Sequence, residues 1–219
     1  MNTLPFQFSG ADVMALGSGA LWWQAQGLLC VSDLHLGKSA RAARTGGMEL
    51  PPYEVIDTLH RLDRDLQVTG ARRVICLGDS FDDAGAADRL TEEANLQITR
   101  LQAGREWVWI EGNHDPGPVN LGGSHRRTLT IGPLTFRHIC EGEKGEVSGH
   151  YHPNAQIRTR ARSLSRPCFL IDDHRLIMPA YGTYTGGLRC DRAPLATLMS
   201  ANAQAILTGP RPTRIPMPR

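Results

Sequence analysis

Four short polar segments of the chain carry side chains of the types that bind divalent metal ions. In chain order they are Asp33-Leu34-His35, Gly78-Asp79-Ser80-Phe81-Asp82, Gly112-Asn113-His114-Asp115 and Gly149-His150-Tyr151-His152. Carboxylate, amide and imidazole donors without thiolates suit manganese, iron or zinc, and this many donors is enough to hold two ions side by side. A pair of neighbouring ions is typical of enzymes that hydrolyse phosphate esters. The segments therefore predict a two-metal hydrolytic site, for which we favour Mn²⁺, with iron and zinc as alternatives.

Taken one at a time, most of these motifs have ordinary structural explanations. An Asp-x-His pair such as Asp33 and His35 is common by chance, and Asp79 after a glycine is typical of a turn. A lone histidine such as His138, at the end of a predicted strand, is more often a packing or surface residue. The Gly-Asn-His-Asp segment is the most specific motif, and the order of the whole set along the chain makes coincidence improbable.

The spacing within the motifs indicates how each would face an ion. Asp33 and His35 are two residues apart, so both side chains point to one side if the strand continues through them. The same spacing places His150 and His152 on one side of an extended segment, from which they reach two adjacent ions. The two carboxylate oxygens of Asp79 can bridge a pair of cations, and the glycine before it allows close approach of the backbone.

Neighbours of these residues are candidates for catalytic and supporting roles. Asn113 supplies a neutral carbonyl oxygen, and we expect His114 next to it to face the substrate. We expect Asp115 to fix the tautomer of His114 and to keep it protonated. Asp82 and Asp83 either orient metal ligands or face solvent, and the sequence leaves both alternatives open.

Apolar runs immediately before the motifs predict the strands that position them. Runs at 28–32, 74–77 and 106–111 each end at a metal-type residue. Loops at the carboxyl ends of strands are where α/β proteins keep their chemistry. Apolar residues at three- and four-residue spacing predict helices over 53–69, which Gly70 ends, and over 91–102.

The half of the chain after Asp115 is predicted to be rich in β-structure. Short runs separated by turn residues occur at 128–131, 134–137, 146–148, 168–171 and 176–178. A last helix is predicted over 193–203. From residue 209 prolines alternate with arginines, so we expect 209–219 to be a disordered tail that follows a single domain over 1–208.

Composition favours a globular protein of the cytoplasm. The 219 residues are 41% apolar, which supports a substantial core and argues against global disorder. No run of about 18 apolar residues occurs, so we expect no membrane span, and the N-terminal residues lack the pattern of a secretory signal. Five widely spaced cysteines indicate buried, reduced thiols. The net charge of +2 is too small to argue for nucleic acid by itself.

The ordered motifs from Asp33 to His152 resemble those of the calcineurin-like metallophosphoesterase superfamily. The resemblance implies an α/β fold of four layers, in which two packed mixed β-sheets are flanked by helices. It also implies two ligand sets bridged by Asp79, namely Asp33, His35 and His152 for one ion and Asn113, His138 and His150 for the other. His114 would then be the acid near the leaving group.

A closer resemblance is to the bacterial ligase-associated DNA-damage-response endonuclease family. Its supporting segments include Gly19-Ala20-Leu21-Trp22-Trp23, Leu50-Pro51-Pro52-Tyr53, Trp107-Val108-Trp109-Ile110, Leu134-Thr135-Phe136-Arg137-His138 and Pro179-Ala180-Tyr181-Gly182-Thr183-Tyr184-Thr185-Gly186-Gly187-Leu188. The resemblance implies a nuclease in DNA repair, alongside an ATP-dependent DNA ligase, a helicase and a β-lactamase-fold exonuclease. The family usually has histidine where this chain has Asp82, which leaves the substrate-side role of that position open.

The chain between the motifs bears on the size of the substrate. Only about two dozen residues separate Asp115 from His138, which leaves no room for a capping domain. An open site favours a polymer over a small enclosed ligand. The polymer we expect is DNA, in single-stranded form.

Basic residues near the motifs are candidate substrate contacts. Arg158, Arg160 and Arg162 alternate after the last metal motif and, if extended, lie on one face that could follow a phosphate backbone. A solvated basic edge strand that resists aggregation explains the same pattern equally well. Lys38, just after the first motif, is a further candidate.

Two other functions remain compatible with the sequence. One is a phosphodiesterase or phosphatase of the same chemistry that acts on a small nucleotide or nucleotide-sugar substrate. The other is a scaffold of the same fold that binds a partner protein and has lost catalysis, although such scaffolds usually lack ligands or the acid, which are present here.

Overall fold

The first of two β-sheets contains the N-terminal half of the chain. The structure is a computed structural model that describes residues 2–46, 50–158 and 163–219. In chain order the strands of the first sheet are β1 (Thr3–Phe8), β2 (Ala11–Leu16), β3 (Leu21–Trp23), β4 (Leu28–Val31), β5 (Arg73–Leu77), β6 (Glu106–Ile110) and β7 (Ser124–Arg126). They lie in this same order across the sheet. β1 to β4 pair antiparallel, whereas β4 to β7 are parallel.

The second sheet contains the C-terminal half. Its strands are β8 (Thr128–Ile131), β9 (Leu134–Arg137), β10 (Glu146–Ser148), β11 (Pro153–Arg158), β12 (Ser163–Ile171), β13 (Arg175–Ile177), β14 (Leu188–Arg189), β15 (Gln204–Leu207) and β16 (Thr213–Pro216). Their order is β14-β11-β12-β13-β10-β9-β8, and β15 pairs with β12 and with β16. β10 pairs parallel with β9 and with β13, and β11 pairs parallel with β14. The remaining pairs in this sheet are antiparallel. Both sheets are therefore mixed.

The helices are few, and two of them cover the outer face of the first sheet. They are α1 (Lys38–Arg44), α2 (Glu54–Thr69), α3 (Glu92–Gln102) and the single turn α4 (Leu195–Leu198). The α2 residues Leu59, Leu62 and Leu66 are buried against that sheet, and each such burial stabilises the fold by roughly 1.5–3 kcal/mol. Gly70 ends α2 in the left-handed conformation, as predicted, and Thr91 caps the start of α3 through its hydroxyl.

The alternation of side chains along the strands produces three apolar layers. In β4, Leu29 and Val31 face α2 and α3, while Leu28 and Cys30 face the second sheet. The layer between the sheets is completed from the second sheet by residues such as Phe136. A third layer lies on the far side of the second sheet and includes Leu195 from α4. The predicted α/β arrangement of two packed mixed sheets flanked by helices is confirmed, although α4 is the short helix of the far layer.

The predicted helix over 193–203 is wrong beyond one turn. α4 ends at Leu198, and Met199 is already extended. The amide of Ser200 donates to the carboxylate of Asp172, and its hydroxyl bonds to the side chain of Asn202, which favours a turn over a continuing helix. The residues that follow then join the sheet as β15.

The Pro/Arg-rich segment from residue 209, predicted to be disordered, contains a strand. β16 (Thr213–Pro216) pairs antiparallel with β15, and Met217 after it is buried. Because β16 lies at the edge of the sheet, it pairs with a strand on one side only. The amide hydrogen that Pro216 lacks is therefore not needed for pairing with a second strand. Proline and arginine are thus compatible with an ordered edge here.

Among the described helices, none is long and apolar enough to cross a membrane. All five cysteines are free, and all except Cys140 are buried.

Candidate metal centre

The carboxyl ends of parallel strands from both sheets meet at one edge of the molecule. β4, β5 and β6 deliver Asp33, Asp79 and Asn113 in the loops that follow them. β9 and β10 of the second sheet deliver His138 and the Gly149–His152 segment at the same edge. The predicted strand-end positions of the metal-type residues are therefore confirmed, and ligands far apart in sequence become neighbours.

The metal-type side chains form two groups. Potential ligand atoms of Asp33, His35 and His152 all lie within 4.8 Å of one another, and so do those of Asp79, His138 and His150. The two groups are adjacent, because Nδ1 of His138 is 3.9 Å from Oδ1 of Asp33. Each group offers one carboxylate and two imidazoles, a donor set that fits a divalent cation such as manganese, iron or zinc.

Asn113 completes the second group. Its Oδ1 lies 3.1 Å from Nε2 of His138, and the same nitrogen is 3.2 Å from Oδ2 of Asp79. The structure thus brings together all seven residues predicted to bind metal, in the two sets that the family resemblance implies. Coordination of two ions by these sets, with Asp79 as the bridge, stays a prediction.

The ligands leave their strands through left-handed backbone rather than along extended segments. Among the described residues, seven that are not glycine have positive φ, and five of them belong to the ligand sets: Asp33 (52°), His35 (45°), Asp79 (46°), His150 (69°) and His152 (46°). The extended geometry expected for the Asp-x-His and His-x-His pairs is therefore not found, although Asp33 and His35 still face one group. His150 and His152 instead turn toward different groups, which still places one near each ion site.

Backbone hydrogen bonds between two loops hold this strained conformation. The amides of Asp33, His35 and Leu36 donate to the carbonyls of Gly78, Asp79 and Ser80, respectively, at 3.2, 3.0 and 2.9 Å. The loops after β4 and β5 therefore continue to pair beyond the strand ends, and the cost of left-handed φ, of order 1–3 kcal/mol per residue, is offset locally.

Two glycines are required by close approach between ligand segments. A Cβ on Gly78, whose φ is +75°, would lie 2.3 Å from Nδ1 of His138. A Cβ on Gly149 would lie 1.9 Å from Oγ of Ser32 and 2.4 Å from Oδ2 of Asp33. Only glycine lets these loops approach so closely, as the sequence predicts for Gly78.

Asp33 is fully buried and held ionised by donors. Its Oδ2 accepts the Ser32 hydroxyl and, at 3.0 Å, the amide of His150, while Oδ1 lies 3.1 Å from Nε2 of His152. Burial by itself raises the pKa of Asp33, but the hydrogen bonds and charge of His152 and the other donors outweigh it and lower the pKa below its usual value. One oxygen is therefore anchored and the other faces the first group.

Asp79 and His138 form the electrostatic centre of the second group. Burial favours a higher pKa for Asp79, but the hydrogen bond and charge of His138 lower it to about 2. Burial also favours a lower pKa for His138, yet its contacts with Asp79 and Asp33 raise it. The carbonyl of Leu77 lies 3.1 Å from Nδ1 of His138, so Nε2 is the nitrogen directed at Asp79 and Asn113. The main chain thus orients this ligand.

His114 lies beside both groups with its ring partly exposed. Its amide donates to Oδ1 of Asp79 at 2.9 Å, and its Nδ1 is 3.1 Å from the carbonyl oxygen of Asp82. A carbonyl only accepts, so this contact places a proton on Nδ1 and leaves Nε2, 4.0 Å from Oδ2 of Asp79, directed at the site. The ring also meets that of His35 edge-on, with centroids 5.3 Å apart.

The predicted contact between Asp115 and the ring of His114 is wrong. Its carboxylate accepts from the amides of Ser80 at 2.7 Å, Phe81 at 3.2 Å and Gly112 at 3.1 Å, whereas the ring of His114 is held by Asp82. Asp115 therefore ties the loop after β5 to the loop after β6. Burial and the neighbouring Asp79 raise the pKa of Asp115 to about 6.

The structure resolves the role of Asp82, which the sequence left open. Its Oδ1 lies 3.2 Å from Nδ1 of His35, and both side chains are buried. Nη1 of Arg41 lies 3.3 Å from the other carboxylate oxygen. Burial favours a higher pKa for Asp82, but His35 and Arg41 outweigh it and lower the pKa. Asp82 thus contacts His35 through its carboxylate and holds His114 through its carbonyl, while Asp83 binds Arg44 and Arg89 at the surface.

The predicted substrate residues are placed only in part. Lys38 is the first residue of α1, and its charge contributes to the lowered pKa of Asp82. Arg158 ends β11, but its side chain is outside the described set. Arg160 and Arg162 also lie outside the described residues. Contact of these arginines with substrate stays a prediction.

Sequence reasoning missed two supporting residues, Ser32 and Arg41. Arg41 had a detectable signal, because Lys38, Arg41 and Arg44 are spaced by three residues directly after the first motif and so share one face of α1. Ser32 had none, since its contact with Asp33 depends on the local turn.

The comparison with protein families agrees with this geometry. Residues 28–178 match the family described as calcineurin-like phosphoesterase, and the match includes every residue of both ligand groups. The chain belongs to the calcineurin-like phosphoesterase family. This phosphoesterase is accordingly a hydrolase of a family that uses divalent metals.

Solved structures include one that covers nearly the whole phosphoesterase. The nuclease MPE of Pseudomonas putida matches with a TM-score of 0.74 and 28% sequence identity, over 97% of this chain and 100% of the other. Yfce, a phosphoesterase from E. coli, matches with a TM-score of 0.41 and 11% identity, over 87% of this chain and 99% of the other. Among curated proteins, no match was found. The match to MPE is consistent with the narrower resemblance to ligase-associated endonucleases.

Replacing Gly78 with alanine should reduce the metal content of the phosphoesterase. The added Cβ displaces the ring of His138, which lies 2.3 Å away. Gly70→Ala is a matched control, because Gly70 has a φ of +63° but no atom within 4 Å of the added Cβ. Both variants should lose about 1 kcal/mol of stability to left-handed backbone strain. The manganese content of each variant after dialysis, measured by inductively coupled plasma mass spectrometry, should fall for Gly78→Ala alone. Equal manganese content in both variants would contradict this explanation.

Replacing Asp82 with asparagine should weaken metal binding about 10–100-fold, because the carboxylate that fixes His35 loses its charge. The neighbouring Asp83→Asn variant removes an equal charge that, among the described residues, contacts arginines and the backbone. Calorimetric titration of the metal-free variants with Mn²⁺ should therefore separate the two. The orienting role of Asp82 is excluded if both variants keep the wild-type affinity.

Proposed function

We propose that the protein is a two-metal nuclease that hydrolyses phosphodiester bonds in single-stranded DNA. The observation that carries this proposal is the pair of adjacent ligand groups with His114 beside them. Two adjacent cation sites suit an in-line displacement at phosphorus, because the attacking and leaving oxygens both need charge stabilisation. The match to a solved nuclease over nearly the full chain supports a nucleic acid as the substrate.

The open surroundings of the site support a polymeric substrate. Residues 116–137, between the third motif and His138, form only loops and β7 to β9 and contain no capping domain. Asn113 is exposed, and His114 is partly exposed. A chain that continues on both sides of the cleaved bond can therefore reach the ligand groups, whereas nothing in the described residues encloses a small ligand.

The residues of the site divide into metal-holding and proton-handling groups. Asp33, His35 and His152 would hold one ion, and Asn113, His138 and His150 the other, with Asp79 shared between them. When bound, the ions would acidify a water and neutralise charge on the non-bridging oxygens. We favour Mn²⁺ because the donors are oxygen and imidazole nitrogen without thiolate.

His114 is positioned to act as the general acid. Its Nδ1–H donates to the carbonyl of Asp82, so in the doubly protonated ring that acts as an acid, the proton free to move is the one on Nε2. Donation from Nε2 to the departing sugar oxygen avoids a high-energy alkoxide. The hydrogen bond from its amide to Asp79 keeps this ring beside the ligand groups.

The biological setting follows from the closer family resemblance. We propose a role in cytoplasmic DNA repair, together with an ATP-dependent DNA ligase, a helicase and a β-lactamase-fold exonuclease. The match to the nuclease MPE supports the nuclease activity that this setting requires.

Circular single-stranded DNA is the substrate that tests catalysis and internal cleavage together. The purified protein with Mn²⁺ should convert the circle to linear and shorter products, and chelation of the metal should abolish the reaction. Gel analysis resolves the circular, linear and fragmented forms. An intact circle in the presence of Mn²⁺, together with rapid hydrolysis of a cyclic nucleotide, would instead support the small-substrate alternative.

Replacing His114 with asparagine should lower turnover on DNA by about 10²–10⁴-fold, because the sugar oxygen then leaves without a proton. Bis(4-nitrophenyl) phosphate needs little protonation of its leaving group, so the loss on that diester should be much smaller. The acid role is wrong if the two substrates lose equal turnover or if DNA cleavage is unaffected.

A further inference from the structure

Two clefts border the metal centre, one beside each ligand group. The first, which we call the His138 cleft, has a volume of about 640 Å³ and is lined by Asn113, His138 and Ile139 among others. The second, the His152 cleft, has a volume of about 380 Å³ and is lined by His152, Asn154 and Thr185 among others. Each is large enough for part of a nucleotide. A ligand that fills both clefts contacts residues of both ligand groups.

Exposed apolar side chains are concentrated beside these clefts. In the described part of the chain six large apolar side chains are exposed, and three of them lie in or directly next to segments that line the two clefts. Ile139, 41% exposed, lines the His138 cleft. Tyr184 and Leu188, 37% and 43% exposed, flank the residues 185–187 that line the His152 cleft. An apolar contact is therefore available on either side of the site.

The loop that carries Tyr184 is fastened to two metal-type residues. The amide of Gly182 donates to the carbonyl of Asp33 at 3.1 Å, and the amide of Leu188 donates to the carbonyl of His152 at 3.1 Å. A Cβ on Gly187 would lie only 2.3 Å from that same carbonyl oxygen. Thr183 is also tied to α2 by its amide, which donates to the Thr58 hydroxyl at 3.1 Å. A ligand that contacts Tyr184 therefore meets a loop that is already positioned against the site.

Most cations at the clefts are already paired. Arg137 in the His138 cleft contacts Glu141, Glu143 and Glu146, and Arg189 in the His152 cleft contacts Asp191. These guanidinium groups are poorly available to phosphate. Arg127, which also lines the His138 cleft, is exposed and has no ion pair among the described residues, so it can contact one phosphate. Apart from that residue the clefts offer contacts to bases, while the scissile phosphate would lie at the ligand groups.

We propose that a single nucleic-acid strand crosses the metal centre from one cleft to the other, with one base against Ile139 and one base stacked on Tyr184. This inference rests on the proposed nuclease function and adds how the strand is held. Stacking needs an unpaired base, so the arrangement selects single strands, and it tolerates any sequence because every base offers a face. A strand held on both sides of the cleaved bond is cut internally.

Variants of the two apolar residues test the proposal on substrates with and without bases. The ratio of kcat/KM on a single-stranded oligonucleotide to kcat/KM on bis(4-nitrophenyl) phosphate should fall about tenfold in Tyr184→Ala. It should fall severalfold in Ile139→Ala and stay near wild type in Tyr184→Phe, which keeps the ring. Leu96→Ala removes an exposed apolar side chain on α3, away from both clefts, and should keep the ratio.

A binding measurement provides a readout that is independent of cleavage. An oligonucleotide containing 2-aminopurine should lose emission on binding the metal-depleted wild-type protein, because the base stacks on Tyr184. The quenching should persist in Tyr184→Phe and be lost in Tyr184→Ala.

The outcomes separate this inference from the function on which it rests. If the wild-type protein hydrolyses the small diester but not the oligonucleotide, the proposed nuclease function fails. If the wild type cleaves the oligonucleotide and either Tyr184→Ala or Ile139→Ala keeps the wild-type ratio, the strand path across both clefts is wrong. A surface that instead binds a partner protein predicts this second outcome.

Discussion

The site depends on one geometric constraint, which is that ligands from two sheets must meet beyond the carboxyl ends of their strands. Extended strands carry side chains away from such a meeting point, so the chain turns sharply at five of the seven ligand residues. The left-handed φ values at Asp33, His35, Asp79, His150 and His152 provide these turns. The strain is stabilised by backbone pairing between the loops after β4 and β5 and by glycines that admit a neighbouring ligand segment. The fold thus fixes the ligand positions through the main chain.

Orientation of the imidazoles follows from contacts outside the ligand groups. Nδ1 of His35 faces the Asp82 carboxylate, while Nδ1 of His114 and of His138 face main-chain carbonyls. In each ring the other nitrogen is therefore left for an ion or a proton transfer. Asp82 contributes to two of these contacts and is itself bound by Arg41, so one residue couples a metal ligand to the candidate acid. The resembling family usually has a histidine at this position. Here an aspartate stands there instead, and it makes contacts within the site.

Local sequence patterns predict those strands and helices whose formation depends mainly on residues close together in the chain. The strands ending at Asp33, Asp79 and Asn113 were accessible because a buried parallel strand is a short apolar run followed by a loop. The helix before Gly70 was accessible through its apolar spacing and its left-handed stop. The set of metal-type residues was accessible because each type has a limited chemistry and the motifs occur in a recognisable order.

Features that depend on tertiary contacts were not accessible from the sequence. The left-handed turns replace the extended geometry inferred for the His-x-His pair, and Asp115 binds loop amides in place of the His114 ring. The turn at Ser200 and the pairing of β16 with β15 likewise override the predicted last helix and disordered tail. In each case a partner distant in sequence decides the conformation.

Crystals of the protein grown with Mn²⁺ and measured at the manganese absorption edge would test the central claim most directly. The account predicts two anomalous peaks about 3.5–4 Å apart. One should contact Asp33, His35 and His152, the other Asn113, His138 and His150, and both should contact Asp79. A single peak, or peaks away from these side chains, would contradict it.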